Sequence, residues 1–210
     1  MKFELRSTVL PLIALNAVVF ILEFIFGSSF TKPLLLVSSD VYSRPWILFT
    51  HLFLHATPSH LLFNMWALLL FGTLLEQKIG GKRFIIFYIL SGVIAGYISS
   101  FFYATSLGAS GAIMGIIGVL VILMPDLPLL FFFVIPTPLW IAGIIYMAFD
   151  VFGVFFPSGV GSIAHLVGMG CGLLYGLHLK KERKKFTGKF SSKKHLESGD
   201  VDEYLRSGRI

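Results

Sequence analysis

Long apolar runs separated by short polar stretches dominate the chain and predict membrane-spanning helices. Several of these runs approach the roughly 20 residues that an α-helix needs to cross a bilayer. Six spans are predicted, over residues 10–26, 59–76, 84–103, 110–124, 139–156 and 161–179. The pattern therefore predicts an all-α membrane protein in which one six-helix domain covers residues 1–180.

Composition supports a membrane protein, and the distribution of charge predicts its orientation. Of the 210 residues, 56% are hydrophobic and 13% are charged, whereas an ordinary soluble domain is about 45–50% apolar. Six spans would place both termini on one side of the membrane, together with fifteen of the seventeen Lys and Arg residues. Because basic residues accumulate on the cytoplasmic side, we expect cytoplasmic termini and insertion in the cell membrane.

Two segments lie outside the predicted spans. The first outer loop, about 27–58, includes an apolar stretch over 45–55 that is predicted to form an interfacial helix. The tail, 181–210, is polar and basic, and we expect it to be cytoplasmic and mobile, with a start that contacts anionic lipid headgroups. The net charge of +6 is thereby explained without a nucleic-acid partner.

Two polar residues stand out within residues 84–179, a stretch that contains no Lys or Arg. Ser110 and His165 are surrounded by apolar sequence, where a hydroxyl and an imidazole each need a hydrogen-bond partner. The simplest arrangement pairs them with each other. They are therefore candidates for a nucleophile and its general base.

Span direction places further polar side chains at the same depth. Even-numbered spans run inward, so residues early in spans two, four and six lie near the outer face. At ~1.5 Å per residue, Asn64 and His165 lie roughly 6–8 Å below the starts of their spans. Ser110 reaches a similar depth if the short fourth span ends at the inner surface, and His60 lies one helical turn before Asn64. We expect these four side chains to line a water-filled cavity that opens to the extracytoplasmic side.

Glycine spacing predicts which spans touch. Small residues three or four positions apart let transmembrane helices approach closely. Spans four and six both carry such residues, namely Gly111, Gly115 and Gly118 in the former and Gly168, Gly172 and Gly176 in the latter. Close contact would bring Ser110 Oγ within hydrogen-bond reach of the His165 ring. Plain helix packing would need the same spacing, so this feature alone does not separate structure from catalysis.

The predicted arrangement suits acyl transfer. His165 would take the Ser110 proton during attack on a peptide carbonyl and return it to the leaving amine. The Ser110 backbone N–H, at a helix start, and the side chains of His60 and Asn64 would form an oxyanion hole. Asp150 is the only candidate carboxylate for orienting the base, and we expect a Ser–His dyad rather than a triad.

Three motifs support this chemistry. They are the His60 to Asn64 spacing, Gly108-Ala109-Ser110-Gly111 and Ala164-His165-Leu166-Val167-Gly168. In this order they resemble the oxyanion-hole pair, the nucleophile motif and the base motif of the rhomboid family of intramembrane serine proteases. The resemblance covers residues 46–176 and implies a six-helix rhomboid-like bundle in which Gly108, Gly111 and Gly168 support the site. It also implies cleavage of single-span membrane proteins near or within their transmembrane segments, without a cofactor or metal.

Two positions depart from the family pattern. Met114 stands where many members have an aromatic residue that packs on the histidine, although a thioether can also pack against an imidazole. In the first outer loop Trp46 is followed by Ile47 rather than Arg, and Arg44 lies two residues before the Trp. We expect Met114 to alter the orientation of the base or the rate without removing activity.

Other functions fit the sequence less well. His51, His55 and His60 could bind zinc in a transporter or metalloprotease, but no acidic ligand accompanies them and no His-Glu-x-x-His motif is present. A soluble-type hydrolase with a Gly-x-Ser-x-Gly motif is excluded because position 112 is Ala and no predicted strands surround it. A proteolytically inactive rhomboid-like protein that binds membrane clients is the remaining alternative, although intact Ser110 and His165 favour a protease.

Overall fold

The computed structural model describes residues 7–131, 134–156 and 161–191. Its α-helices are α1 (Val9–Phe26), α2 (Ser28–Thr31), α3 (Ile47–Thr50), α4 (Pro58–Ala67), α5 (Thr73–Ile79), α6 (Gly81–Ser99), α7 (Ser110–Leu123), α8 (Leu139–Phe155) and α9 (Ser162–Ser191). A π-helical segment, Leu68–Gly72, joins α4 to α5 into one continuous helix. The short strands are β1 (Leu36–Val37), β2 (Thr105–Ser106), β3 (Pro128–Phe131) and β4 (Ile135–Pro138).

The six apolar runs predicted as spans all form helices in the described part of the chain. Four helical segments there are long and apolar enough to cross a membrane: Val9–Phe26, Pro58–Ile79, Gly81–Ser99 and Ser162–Lys185. The helices α7 and α8 are apolar but shorter. Large apolar side chains such as Phe24 and Phe155 are exposed on the outside of the bundle, as lipid-facing side chains would be. The protein is thus a mostly helical membrane protein.

The helix α7 lies at the centre of the bundle. Every residue from Gly111 to Leu120 is buried, and the helix packs most closely against α9. A methyl group on Gly168 would overlap the carbonyl oxygen of Gly111, and one on Gly172 would overlap that of Gly115. The glycines therefore permit backbone-to-backbone contact between α7 and α9, as their spacing predicts.

The structure is mostly helical, as predicted, and adds two short pairs of strands to the helices. Strands β1 and β2 pair antiparallel, with Leu36 opposite Ser106, and so join the first outer loop to the segment before α7. Strands β3 and β4 form a second antiparallel pair in the loop before α8. Backbone N–H and C=O groups in an apolar loop need hydrogen-bond partners, and pairing within the loop supplies them where apolar side chains cannot.

Polar side chains hold the first outer loop together. Arg44 forms an ion pair with Asp40 and also donates a hydrogen bond to the carbonyl oxygen of Lys32, at 3.2 Å. The indole N–H of Trp46 donates to the carbonyl oxygen of Pro33, at 3.1 Å. Arg44, two residues before Trp46, therefore connects two parts of the first outer loop, at Lys32 and at Asp40.

The predicted interfacial helix over 45–55 consists of α3 and a 3₁₀ turn over His51–Phe53. Leu52 and Leu54 are fully buried, so this segment packs into the protein. Helix α9 continues to Ser191, beyond the predicted end of the membrane domain at residue 180. The rest of the predicted tail, 192–210, lies outside the described residues.

Candidate active site

The structure brings Ser110 and His165 together. Ser110 is the first residue of α7, and His165 lies in the first turn of α9. Ser110 Oγ and His165 Nε2 are 2.8 Å apart, a hydrogen-bond distance. The contact between Gly111 and Gly168 lies directly beside this pair. Helix packing and the polar pair therefore depend on the same approach of α7 to α9.

A third side chain, Asp150 on α8, completes a chain of hydrogen bonds. Asp150 Oδ1 lies 2.9 Å from His165 Nδ1, and the Asp150 side chain is buried. The predicted Ser–His dyad therefore has a carboxylate on the second ring nitrogen. In the sequence, Asp150 is an ionisable residue within an apolar span, and such a residue is a functional candidate by default. Its direction around the helix axis, which decides whether it meets His165, could not be read from the sequence.

Gly108 shapes the backbone immediately before Ser110. Its φ of 112° lies in a region that side-chain-bearing residues rarely adopt. A Cβ at this position would lie 2.8 Å from Cε1 of His60, so glycine also lets the His60 ring pack against the turn. The Gly108 N–H donates to the carbonyl oxygen of His51, at 2.8 Å. Gly108 thus joins the first outer loop, α4 and the start of α7.

His60 and Asn64 lie on α4 and face the same cavity as Ser110. Thr57 caps this helix by accepting a hydrogen bond from the His60 N–H, at 3.1 Å, and Pro58 occupies its first turn. Asn64 is buried, and its Nδ2 donates to the carbonyl oxygen of His60, at 2.9 Å. A carboxamide has two N–H donors, so Asn64 retains a second one for another acceptor.

A cavity of about 840 Å³ connects the predicted site residues. Ser110, His165, His60 and Asn64 all line it, and Tyr103 lies on its wall. Most other lining residues are apolar, among them residues of α6 and of the loop before α7. The volume is far above that needed for one water molecule, so both water and an extended peptide segment have room there.

Met114 lies one helical turn after Ser110 and is buried in the hydrophobic core. Gly111 and Gly168 provide the close contact of α7 with α9 described above. The sequence predicts that these three residues support the site, and all three lie within one turn of Ser110 or His165.

Two further histidines of the outer loop are buried beside the site. Burial lowers the pKa of His51 to about 4. The pKa of His55 is also lowered to about 4, mainly by burial and to a smaller extent by the nearby His60. Both rings are therefore neutral at physiological pH. The His55 and His60 rings meet edge-on, with centroids 5.1 Å apart, and within the described ranges no group of three or more His, Cys, Asp and Glu side chains is placed to hold a metal ion.

The Ser110 hydroxyl and the His165 ring are hydrogen-bonded to each other among apolar helices. This arrangement is typical of the serine and histidine of a serine hydrolase, here in a membrane protein. Comparison with known proteins identifies the family, because the family model described as "Rhomboid domain" matches residues 42–182. The chain belongs to the rhomboid family.

Named relatives agree with this assignment. The chain is 31% identical over 196 residues to "Rhomboid protein 1, mitochondrial" of Saccharomyces cerevisiae, covering 88% of this chain and 56% of that protein. It is 35% identical over 157 residues to "Rhomboid protease GluP" of Bacillus subtilis, covering 71% of this chain and 30% of that protein. It is 26% identical over 143 residues to "Rhomboid protease GlpG" of Haemophilus influenzae, covering 68% and 73% respectively. The chain thus spans about half the length of the yeast relative.

Proposed function

We propose that this chain is an intramembrane serine endopeptidase that cleaves single-span membrane proteins near or within their transmembrane segments. The observation that carries the proposal is the 2.8 Å distance between Ser110 Oγ and His165 Nε2, in a cavity among apolar helices. Family membership supports it, because relatives in Bacillus and Haemophilus are named rhomboid proteases.

In the proposed reaction Ser110 is the nucleophile and His165 is the general base. His165 Nε2 takes the hydroxyl proton while Oγ forms a bond to the carbonyl carbon of the scissile peptide. The tetrahedral intermediate then breaks its C–N bond, and the Nε2 proton passes to the leaving amine. A water molecule, deprotonated by the same nitrogen, hydrolyses the resulting acyl-enzyme and restores the Ser110 hydroxyl.

The oxyanion of the intermediate needs hydrogen-bond donors. The Ser110 N–H lies at the start of α7, where the first-turn amides have no partner within the helix and the helix dipole is positive. His60 and the second N–H of Asn64 can donate from α4 across the cavity. Preorganised donors of this kind typically contribute about 10² to 10³ in rate each.

The proposed topology has six spans, with both termini in the cytoplasm and the cavity open to the extracytoplasmic side of the cell membrane. The 14-residue α7 measures about 21 Å at 1.5 Å per residue, less than the ~30 Å hydrocarbon core. If its inner end reaches the membrane surface, Ser110 is recessed below the outer surface. The substrates proposed here are transmembrane proteins whose helices unwind locally, because the site needs an extended backbone.

Labelling with a serine-reactive fluorophosphonate tests the proposal directly. We expect the wild-type protein, purified in detergent, to be modified at Ser110, and His165→Ala to suppress labelling because the hydroxyl loses its base. Mass spectrometry of the digested protein identifies the modified residue. Modification at another serine, or none in the folded wild-type protein, would contradict a Ser110 protease and favour the inactive, client-binding alternative.

Substitution of Asn64 tests the proposed oxyanion hole. We expect Asn64→Ala to lower kcat about 100- to 1,000-fold because one donor to the oxyanion is lost. A matched control exists in Asn16, which is also buried in an apolar helix and donates from Nδ2 to the carbonyl oxygen four residues earlier, at 2.8 Å. Asn16→Ala should leave kcat unchanged. Equal kcat values for wild type and Asn64→Ala would remove Asn64 from the oxyanion hole.

A further inference from the structure

We propose that Asp150 is a positioning residue for His165, so that the protease uses a three-residue relay across α7, α8 and α9. This inference rests on the proposed function. The three side chains form an unbroken line, in which Asp150 Oδ1 is 2.9 Å from His165 Nδ1 and His165 Nε2 is 2.8 Å from Ser110 Oγ.

The hydrogen bonds select one tautomer of His165. An ionised carboxylate can only accept hydrogen bonds, so Asp150 requires the proton of the neutral imidazole to be on Nδ1. Nε2 is then unprotonated and accepts the hydroxyl proton of Ser110, as a general base must. Without Asp150 the imidazole is free to carry its proton on Nε2, which points a donor at Ser110 and prevents base catalysis.

The placement of Asp150 is specific to this contact. Its neighbours Phe149 and Val151 are 65% and 48% exposed on the outside of α8, whereas Asp150 is 7% exposed. One turn later, Gly153 lies so close to Ser162 that a methyl group there would overlap the Ser162 hydroxyl. This approach brings the backbone of α8 near the start of α9, and Asp150 therefore reaches His165 from an otherwise apolar helix.

Burial of a carboxylate in apolar surroundings is unfavourable unless it is hydrogen-bonded to a suitable partner. Replacement of a buried ion pair by well-packed apolar residues is often neutral or stabilising, so packing of α8 on α9 does not require a carboxylate. The carboxylate has a chemical use, because His165 becomes an imidazolium when it takes the Ser110 proton. Asp150 stabilises that cation while the Nδ1 proton stays on the ring, and the proton on Nε2 later leaves with the amine.

Substitution of Asp150 separates this role from simple packing. We expect Asp150→Ala to lower kcat about 10- to 1,000-fold with KM changed less than about 2-fold, because the base is misoriented but the substrate cavity is intact. Asp150→Asn keeps the size and an acceptor oxygen but loses the charge, and we expect at least a ~10-fold loss. Asp126→Asn is the matched control, since Asp126 is exposed in the loop after α7 and its substitution should leave kcat unchanged.

The tautomer of His165 distinguishes positioning from packing, because loss of a purely packing contact would not change which ring nitrogen carries the proton. In ¹⁵N-histidine-labelled protein, the His165 signals are assigned by their absence in His165→Ala. We expect wild-type protein with neutral His165 to carry the proton on Nδ1, and Asp150→Ala to move population to the Nε2–H form. If Asp150→Ala does not fold, kcat is measured for the nearly isosteric Asp150→Asn instead. The tautomer is then tested in the wild-type protein alone, where the proton is expected on Nδ1.

The outcomes distinguish the inference from the function on which it rests. A wild-type protein that is labelled at Ser110, with Asp150 variants within about 3-fold of its kcat, overturns the positioning role alone. A lowered thermal transition with unchanged kcat and tautomer assigns Asp150 to helix packing and also overturns it. Absence of Ser110 labelling in folded wild-type protein overturns the proposed function itself.

Discussion

Substitution of Ser110 by Ala is expected to abolish cleavage of a single-span substrate, with a loss of at least about 10⁴-fold in kcat/KM. No other hydroxyl is needed in the proposed reaction, and without Oγ the His165 base has no nucleophile to activate. His165→Ala should reduce cleavage to a similar level, because the two side chains act as a unit. The measurement is cleavage of a purified substrate by purified protein in detergent or liposomes, followed by gel electrophoresis.

Ser99 offers a matched control for this experiment. It lines the same cavity, but its hydroxyl donates to the carbonyl oxygen of Gly96 in its own helix, at 2.9 Å. We expect Ser99→Ala to retain cleavage and Ser110→Ala to retain the wild-type thermal transition to within a few degrees. Cleavage by Ser110→Ala at a rate near that of the wild type would exclude the mechanism.

The meeting of Ser110 with His165 could be predicted because two regularities of single helices point to it. Counting residues along each span gives the depth of a side chain, and glycine spacing indicates which helix faces can touch. Both the depth and the contact face follow from the regular geometry of a single helix, so both can be calculated from residue positions in the sequence. The structure agrees at Gly111 and Gly168, where the two backbones meet beside the polar pair.

The contact of Asp150 with His165 could not be predicted for a reason specific to membranes. In a soluble helix, the alternation of apolar and polar residues shows which face is inside. In α8 the residues around Asp150 are apolar on both faces, since lipid and protein interior select similar side chains. The rotation of α8 about its axis therefore depends on tertiary packing, including the close approach at Gly153, and the sequence alone does not reveal it.

The pairing of β1 with β2 could not be predicted because it depends on a contact between distant parts of the chain. Leu36 and Ser106 have no pattern in common that would indicate their pairing, and each strand has only two residues. The role of this strand pair is apparent only from the structure, because β2 directly precedes the turn that leads to Ser110. The pair, together with the hydrogen bond from Gly108 to His51, holds the turn before Ser110 against the first outer loop. The loop therefore stabilises the position of Ser110.

The second large effect is expected from Gly168→Ala. The added methyl group would overlap the carbonyl oxygen of Gly111, which is backbone and cannot move without the helix. Overpacking of this kind typically costs about 1–3 kcal/mol of stability. Because Gly111 directly follows Ser110, separation of α7 from α9 also moves Oγ away from His165, and a displacement of about 1 Å can lower the rate about 100-fold. We expect both a lower thermal transition and at least that loss of cleavage.

Two neighbouring glycines of α9 make the test specific. A methyl group on Gly170 would have no atom within 4 Å, so Gly170→Ala should leave cleavage unchanged and stabilise the helix slightly. Gly172→Ala creates a similar overlap with the carbonyl oxygen of Gly115, one turn further from Ser110. It should therefore lower the thermal transition as Gly168→Ala does, with a smaller loss of cleavage. If Gly168→Ala and Gly170→Ala behave alike in both assays, the backbone contact between α7 and α9 does not position the nucleophile.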